Sequence, residues 1–331
     1  MSFDPNILIS SSFGDYTRTY LSGSELVPYY INDHLSENIE IAFGTADTLN
    51  HDDQYEIFIR SLFQDLDPLI SLDFEEVYDE DQAILKIYSV SDFSRWDDST
   101  FGQVSMQSNH WDILWRSSSF DVNFDLNTII HEIGHSLGLS HPHDNGGSSS
   151  VFPGVSSAYD TGDNGLNAHP YTFMTYNDTN AGNGYVPTSS SATSGFLETL
   201  GALDIAAIQY LYGANTTKST GDDTYFLDGS TIDGWNCIWD NGGTDTISGI
   251  SSAAAVNIDL RGATLTNSSG GGGYVSHFGT TAGYTIAYNS TGTCIIENAT
   301  GSNYNDTLTG NSGNNTLDGG SGNDILIGGA G

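Results

Sequence analysis

Basic side chains are scarce in this chain. Seven Lys and Arg stand against 42 Asp and Glu over 331 residues, a formal net charge of -35. A polyanion of this kind repels phosphate backbones and anionic lipid headgroups, which excludes nucleic acid and membrane surfaces as partners. Cysteine is nearly absent as well. Cys237 and Cys294 both fall in the last third of the chain; they leave a disulfide open but are too few to indicate a redox compartment. No apolar run approaches the roughly 18 residues needed to span a bilayer. The start, MSFDPNILISSSFG, has no basic segment followed by an apolar one. These absences predict a soluble protein without a classical secretory signal, with export by another route left open. The length allows two domains and at least one sizeable core, so size is no obstacle to an enzyme. The abundant acid has two readings, a heavily solvated surface or coordination of hard cations such as calcium, and the placement of the carboxylates has to decide.

The first two thirds mix strand and helix signals. NIEIAFG (Asn38 to Gly44) alternates like a strand. Tyr55, Phe58, Ile59, Leu62, Phe63 and Leu66 recur at helical spacing until Pro68 stops them, and Asp52, Asp53 and Glu56 sit in the first turns, where the helix dipole favours acid. AILKIYSV (Ala83 to Val90) reads as another strand. SGFLETLGALDIAAIQYLYG reads as a helix ending at Gly213, with Leu200, Leu203, Ala207, Ile208 and Leu211 as its apolar stripe. An α+β domain is expected over residues 1–213. From Ala214 the chain turns rich in Gly, Ser, Thr, Asn and Asp with short apolar pieces such as TYFL and YTIAY, the pattern of short strands and tight turns. A second, all-β domain is expected over residues 214–331.

That second region ends in a repeat. GSNYNDTLT (301–309), GNSGNNTLD (310–318) and GGSGNDILI (319–327) keep one register, with Leu308, Leu317 and Leu326 nine residues apart. The expected form is a parallel β-roll in which each unit contributes a glycine-rich turn and a short strand. Glycines permit the positive φ of the turn, while its carbonyls and an aspartate at the sixth position face calcium. Two units complete one coil, so Asp306 and Asp324 should share a row of calcium sites, and Asn315 should make a weaker site in the other row. The chain stops as a fourth unit begins, which reads as a truncated domain.

Halfway along lies HEIGHSLGLSH, His131 to His141. Asp125 or Asn127 is a plausible N-cap, and Leu126, Ile129, Ile130, Ile133 and Leu137 form a buried face. His131 and His135, four residues apart, stand one above the other on another face and can hold one ion from a rigid helix. Gly138 permits a left-handed residue that ends the helix and lets His141 return as a third ligand. Three protein ligands leave one position of a tetrahedral zinc open, the mark of a catalytic site, and Glu132 lies beside it as a base. A helix with chance surface histidines is the alternative, and the five-residue pattern has a chance expectation on the order of 10⁻⁵. The remaining histidines, His34, His51, His110, His143, His169 and His277, fit no ligand spacing and read as ordinary surface or core residues. His143, close behind His141, is the one that confuses the assignment.

HEIGHSLGLSH resembles the extended HExxHxxGxxH signature of the metzincin peptidases, which pair it with a downstream methionine turn. FMTY (Phe173 to Tyr176) supplies that turn with Met174. Tyr176, two residues on, resembles the tyrosine that the serralysin and astacin branches place next to the metal, and the nonapeptides after the catalytic region select the serralysins. DIAAIQYLYGANTT (Asp204 to Thr217) is similar to the helix that closes the serralysin catalytic domain. The resemblance implies an α+β metzincin catalytic domain followed by an all-β parallel β-roll or β-sandwich calcium-binding domain. It implies zinc on His131, His135 and His141, a zinc-bound water activated by Glu132, and Tyr176 as a switchable ligand that stabilises the tetrahedral intermediate. Two further segments resemble the first calcium sites of the family. Ser219, Gly221 and Asp223 of STGDD would be joined by Asp240, Gly242 and Asp245 of DNGGTD, with Glu297 on a second ion shared with Asp245. Departures occur at His143, where the family has Gly, and at Asn177, where a Trp is common.

The implied protein is a calcium-stabilised zinc endopeptidase, secreted by a non-classical route, acting on proteins or peptides, monomeric, and with a proteinaceous inhibitor as a further partner. Substrate should lie extended along an edge strand that includes GQVSM (Gly102 to Met106). One rival is a non-catalytic, calcium-dependent surface or binding protein that retains a metal site, against which Glu132 speaks, since a purely structural site needs no base. Another is a different metzincin branch with an unrelated tail, against which the nonapeptide register speaks.

Overall fold

The computed structural model describes residues 4–32, 38–41, 44–93, 96–97, 99–118, 122–146, 149–177, 197–229, 234–278 and 282–331. Four α-helices are found among them: α1 (Ser11–Leu21), α2 (Asp53–Leu66), α3 (Val122–Ser136) and α4 (Ala202–Tyr212). Seven strands precede α3, namely β1 (Leu26–Ile31), β2 (Asn38–Ile41), β3 (Gly44–Thr48), β4 (Asp73–Glu76), β5 (Leu85–Phe93), β6 (Gly102–Met106) and β7 (Trp111–Trp115), and they form one sheet. Ten short strands follow α4: β8 (Thr224–Phe226), β9 (Trp235–Ile238), β10 (Thr246–Ser248), β11 (Val256–Asp259), β12 (Ser276–Phe278), β13 (Ala282–Ile286), β14 (Asn298–Thr300), β15 (Thr307–Thr309), β16 (Thr316–Asp318) and β17 (Ile325–Ile327).

The first sheet is mixed. β5 runs parallel to β1 and to β7, and β1 parallel to β4. The last residues of β5 pair antiparallel with β3. β6 pairs antiparallel with β7 and, among the described residues, forms the edge. Side-chain alternation along β5 explains how both faces are used. Leu85 and Ile87 join the main core under the helices, whereas Tyr88 and Val90 join a smaller cluster with Tyr30, Phe93 and Leu114. All five residues of β7, WDILW, are buried, as suits a strand covered on both faces.

Three local expectations are corrected. Asn38 to Gly44 is not one strand. The ladder breaks after Ile41, and β3 folds back antiparallel on β2, pairing Ile41 with Gly44. The helix that carries the histidines begins at Val122, so neither Asp125 nor Asn127 is its N-cap. Asp125 instead lies in the first turn, fully buried, where its carboxylate accepts from the Ser118 amide at 2.7 Å, the Ser117 hydroxyl at 2.7 Å and the Tyr55 phenol at 2.9 Å. The helix expected over SGFLETLGALDIAAIQYLYG is α4, which starts at Ala202 and not at Ser194, because Leu197 bridges to Trp235 and Glu198 donates its amide to the Trp235 carbonyl. Residues 194–196 of that stretch lie outside the described residues, as does His34.

Beyond Gly213 no helix occurs among the described residues. β8, β10, β14 and β16 pair in parallel in the order β16-β14-β10-β8, while a second, mixed sheet runs β17-β15-β11-β12-β13-β9. The repeat units alternate between these sheets: Leu308 pairs with Leu326 and Ala299 with Leu317, so partners lie 18 residues apart. One apolar cluster runs through both regions, joining Leu197, Leu200 and Ile205 to Trp235, Ile247 and Ile258. Cys237 and Cys294 are both free thiols.

Candidate metal centre

α3 presents His131 and His135 on one face, and both are buried. The helix stops after Ser136 because Gly138 has a φ of +103°, a conformation that side chains disfavour. A Cβ there would also lie 2.9 Å from Leu211 and 3.0 Å from the Gly14 Cα. The chain then reverses and returns His141. Its Nε2 lies 3.0 Å from Nε2 of His131 and 3.1 Å from Nε2 of His135. Three ligands on one tetrahedral zinc stand about 3.3 Å apart, so this set fits the ion with minor adjustment.

Each imidazole is held by its other nitrogen. Nδ1 of His131 lies 3.1 Å from the Phe173 carbonyl, Nδ1 of His135 lies 2.8 Å from the Leu139 carbonyl, and Nδ1 of His141 lies 2.8 Å from Oδ2 of Asp144. Nδ1–H donating in all three places leaves the Nε2 lone pairs facing one point. Burial holds His131 well below the usual imidazole range and His135 down to about 3, so both are neutral and ready to take a cation. The hydrogen bond from His141 holds Asp144 down to about 2.

Glu132 follows His131 and is buried, and among the described residues its carboxylate has no hydrogen-bond donor. Burial pushes it up to about 8; a dication at the three histidines would favour its ionised form. Gly102, at the start of the edge strand β6, makes room for it, since a Cβ there would lie 2.6 Å from Oε1 of Glu132. Tyr176 is half-exposed, with its hydroxyl 3.3 Å from Nε2 of His141. A cavity of about 300 Å³ opens over these groups, bounded by Gly102, Gln103, Val104, Glu132, His135, His141, Tyr176 and Phe13.

Met174 is fully buried beneath the histidines. Gly134 on α3 permits its approach, because a Cβ there would meet the Phe173 ring at 2.5 Å and the Met174 sulfur at 2.9 Å. The turn is anchored by Asp204 of α4, whose carboxylate accepts from the Thr172 hydroxyl at 2.6 Å and from the amides of Phe173 and Gly201 at 2.9 Å each. Asp204 is fully buried, and desolvation outweighs these three hydrogen bonds, pushing it up to about 7. An acid whose folded pKa is raised costs stability as pH climbs from its unfolded value through the folded one. The unfolding free energy of the parent relative to Asp204→Asn should therefore fall by up to about 4 kcal/mol between pH 4 and pH 7. Denaturant titrations of both proteins in calcium check this, and a pH-independent difference refutes it.

The N-terminal segment is a contributor that local pattern did not reveal. Ile9 bridges to Leu139; the Ser10 amide donates to Gly138 and the Ser140 amide to Leu8, which ties this segment to the loop between the second and third histidines. In α1, the Thr17 hydroxyl donates to the Ser136 carbonyl at 2.5 Å and accepts from the Trp111 indole at 2.9 Å. Phe13 sets its ring edge-on to His135, 6.0 Å between centroids.

Of the expected calcium residues, Asp223, Asp240 and Asp245 converge, with one oxygen from each within 4.8 Å of the others. Asp240 accepts from the Gly242 amide at 2.6 Å and the Tyr225 phenol at 3.0 Å. Asp245 accepts from the Asp223 amide at 2.7 Å, while its own amide donates to Glu297 at 2.8 Å. Its other oxygen is buried without a partner, and desolvation pushes the group up to about 6. The backbone bends at Ser219 with a φ of +54° and at Gly242 with +125°. The Ser219 carbonyl accepts from the Asn241 amide at 2.7 Å, and the Gly221 carbonyl faces Gly243, which has no Cβ to obstruct it. Asp306 is buried and takes the Val256 amide, while its own amide donates to Asp324 at 3.0 Å. Asn315 lies in the other row, donating to the Glu297 carbonyl at 3.1 Å.

Three converging histidines, a buried glutamate and a methionine turn make up the arrangement expected of a metzincin-type centre. A family model described as Met-zincin matches residues 127–232, and one described as RTX calcium-binding nonapeptide repeat matches residues 300–331. Serralysin of Proteus mirabilis is 38% identical over 135 residues, covering 38% of this chain and 25% of that protein. Metalloprotease AprA of Pseudomonas entomophila is 34% identical over 219 residues, covering 58% of this chain and 41% of that one. Serralysin of Photorhabdus laumondii is 34% identical over 202 residues, with 52% and 40% covered. Over these stretches the chain is similar to serralysin-type metalloproteases. It spans between a quarter and about two fifths of the length of these relatives. The two matched models imply zinc for the first region and calcium for the second.

Proposed function

We propose that this chain is a calcium-stabilised zinc endopeptidase that cleaves extracellular proteins or peptides. The observation that carries the reading is the convergence of three imidazole nitrogens beside a carboxylate that no donor among the described residues occupies. His131, His135 and His141 would hold a zinc ion, which would supply a Lewis acid for a peptide carbonyl. Glu132 accepts the proton of the attacking water and passes it to the leaving amine. The Tyr176 hydroxyl stands on the rim beside His141, where it can donate to the oxygen that gains charge. β6 offers an edge that is unpaired among the described residues, against which substrate lies extended.

The catalytic unit is residues 1–213, and residues 214–331 form a parallel β-roll that holds calcium at Ser219, Gly221, Asp223, Asp240, Gly242 and Asp245, at Glu297, and along the Asp306 and Asp324 row. The 18-residue parallel pairing supports that roll. The protein acts outside the cell as a monomer, and a protein inhibitor would occupy the same cleft as substrate. No helix among the described residues is long and apolar enough to cross a membrane. Treatment with 1,10-phenanthroline should lower casein hydrolysis at least about a hundredfold, and added zinc should restore it. Hydrolysis that survives complete zinc removal refutes the reading.

A further inference from the structure

Three groups of side chains among the described residues gather closely enough to hold an ion. Two are the histidine centre and the Asp223, Asp240 and Asp245 cluster. The third is His141 with His143 and Asp144, of which the readings above use His141 and Asp144 but not His143. The His143 ring lies flat against that of His141, 4.7 Å between centroids and 12° between planes, and 4.6 Å from the ring of Tyr176. Its Nε2 is 4.0 Å from Oδ2 of Asp144. Its Nδ1 is buried with no hydrogen-bond partner. The Asp144 side chain is 44% exposed, so an ion can reach the pair from solvent.

We propose that His143 and Asp144 form a second transition-metal site on the rim of the cleft, beside the three-histidine centre. The proposal rests on the reading of that centre as a zinc site. His141 is committed through Nε2 to the first ion and through Nδ1 to Asp144. The second ion therefore takes Nε2 of His143 and a free lone pair of the Asp144 carboxylate, with water completing its shell. Two ligands on one zinc stand about 3.2 Å apart, so the pair must close by less than about 1 Å, which side-chain rotation supplies. An imidazole ligand selects zinc, copper, nickel or cobalt and disfavours calcium and magnesium, which take oxygen. With two protein ligands against three, this site is the weaker and fills only when zinc exceeds the first centre. Asp144 lines the same cleft as His141 and Tyr176, so an ion held there narrows the path of the substrate and slows turnover.

The test uses the full chain in saturating calcium, stripped of transition metals and dialysed against excess zinc. The parent should bind about two zinc ions, and both His143→Gly and His143→Phe about one. The Phe variant keeps the stacked ring and loses only the nitrogens. Excess zinc should depress casein hydrolysis at least about tenfold in the parent and less than about twofold in either variant, and a cobalt titration followed by absorbance should saturate in two steps and in one step respectively. One zinc in the parent, or equal zinc uptake and inhibition in parent and variants, overturns the second site alone. No zinc in any of the three proteins overturns the three-histidine centre and the second site with it.

Discussion

Glu132→Gln is expected to abolish nearly all casein hydrolysis while zinc content and fold stay those of the parent. The amide fills the same buried space against Gly102 and removes only the capacity to accept a proton. General base catalysis contributes about 10²–10⁴-fold. Because Glu132 has no hydrogen-bond donor within the described chain, the substitution leaves no partner stranded and should cost little stability. Rates measured on the zinc-loaded variant decide the matter, and casein digestion as fast as the parent's refutes the mechanism. A variant that loses zinc together with activity would instead show Glu132 shaping the site.

Chelating calcium is expected to lower the melting temperature by about 10 °C or more. Each ion bound at a hundred times its dissociation constant stabilises the folded form by about 2.7 kcal/mol, and in a chain of this size each kcal/mol moves the midpoint by about 1.4 °C. Three ions suffice for the predicted shift. Asp223, Asp240 and Asp245 converge with Asp245 wholly buried, so removing a cation leaves like charges facing one another. Desolvation and these neighbours raise Asp245 to about 6. The calcium-free form should therefore lose stability as pH climbs from about 4 through 6, and the gap between loaded and chelated protein should widen over that range. Melting curves in excess chelator at pH 5 and pH 7 check both statements, and a curve unchanged by chelator would sink the calcium reading.

Much of the centre was legible because its signals are local. His131 and His135 share one helical face by spacing alone, and Gly138 announces the turn that brings back His141. The nine-residue period of Leu308, Leu317 and Leu326 likewise announces parallel pairing 18 residues apart. Element ends were less legible. The helix that carries the histidines begins three residues before Asp125, because that carboxylate is drawn to Ser117, Ser118 and Tyr55 and does not cap the helix. The helix after the methionine turn begins at Ala202, because Leu197 and Glu198 are bound to Trp235.

The sequence by itself determined the chemistry of this protein: three histidines and a glutamate in one rigid frame, a methionine turn, a calcium-suited repeat and an acidic surface. Each follows from residue type and short-range spacing, which helical and strand geometry convert directly into shared faces. Only the tertiary structure decided what holds that chemistry in place. The N-terminal segment clasps the loop between His135 and His141 across more than a hundred residues, Asp204 anchors the methionine turn from another helix, and Gly134 is the gap into which Met174 fits. It also set His143 flat on His141 with Asp144 within reach. Contacts between distant segments leave no periodicity to read, because they depend on how packed elements meet and not on where their residues fall in the chain.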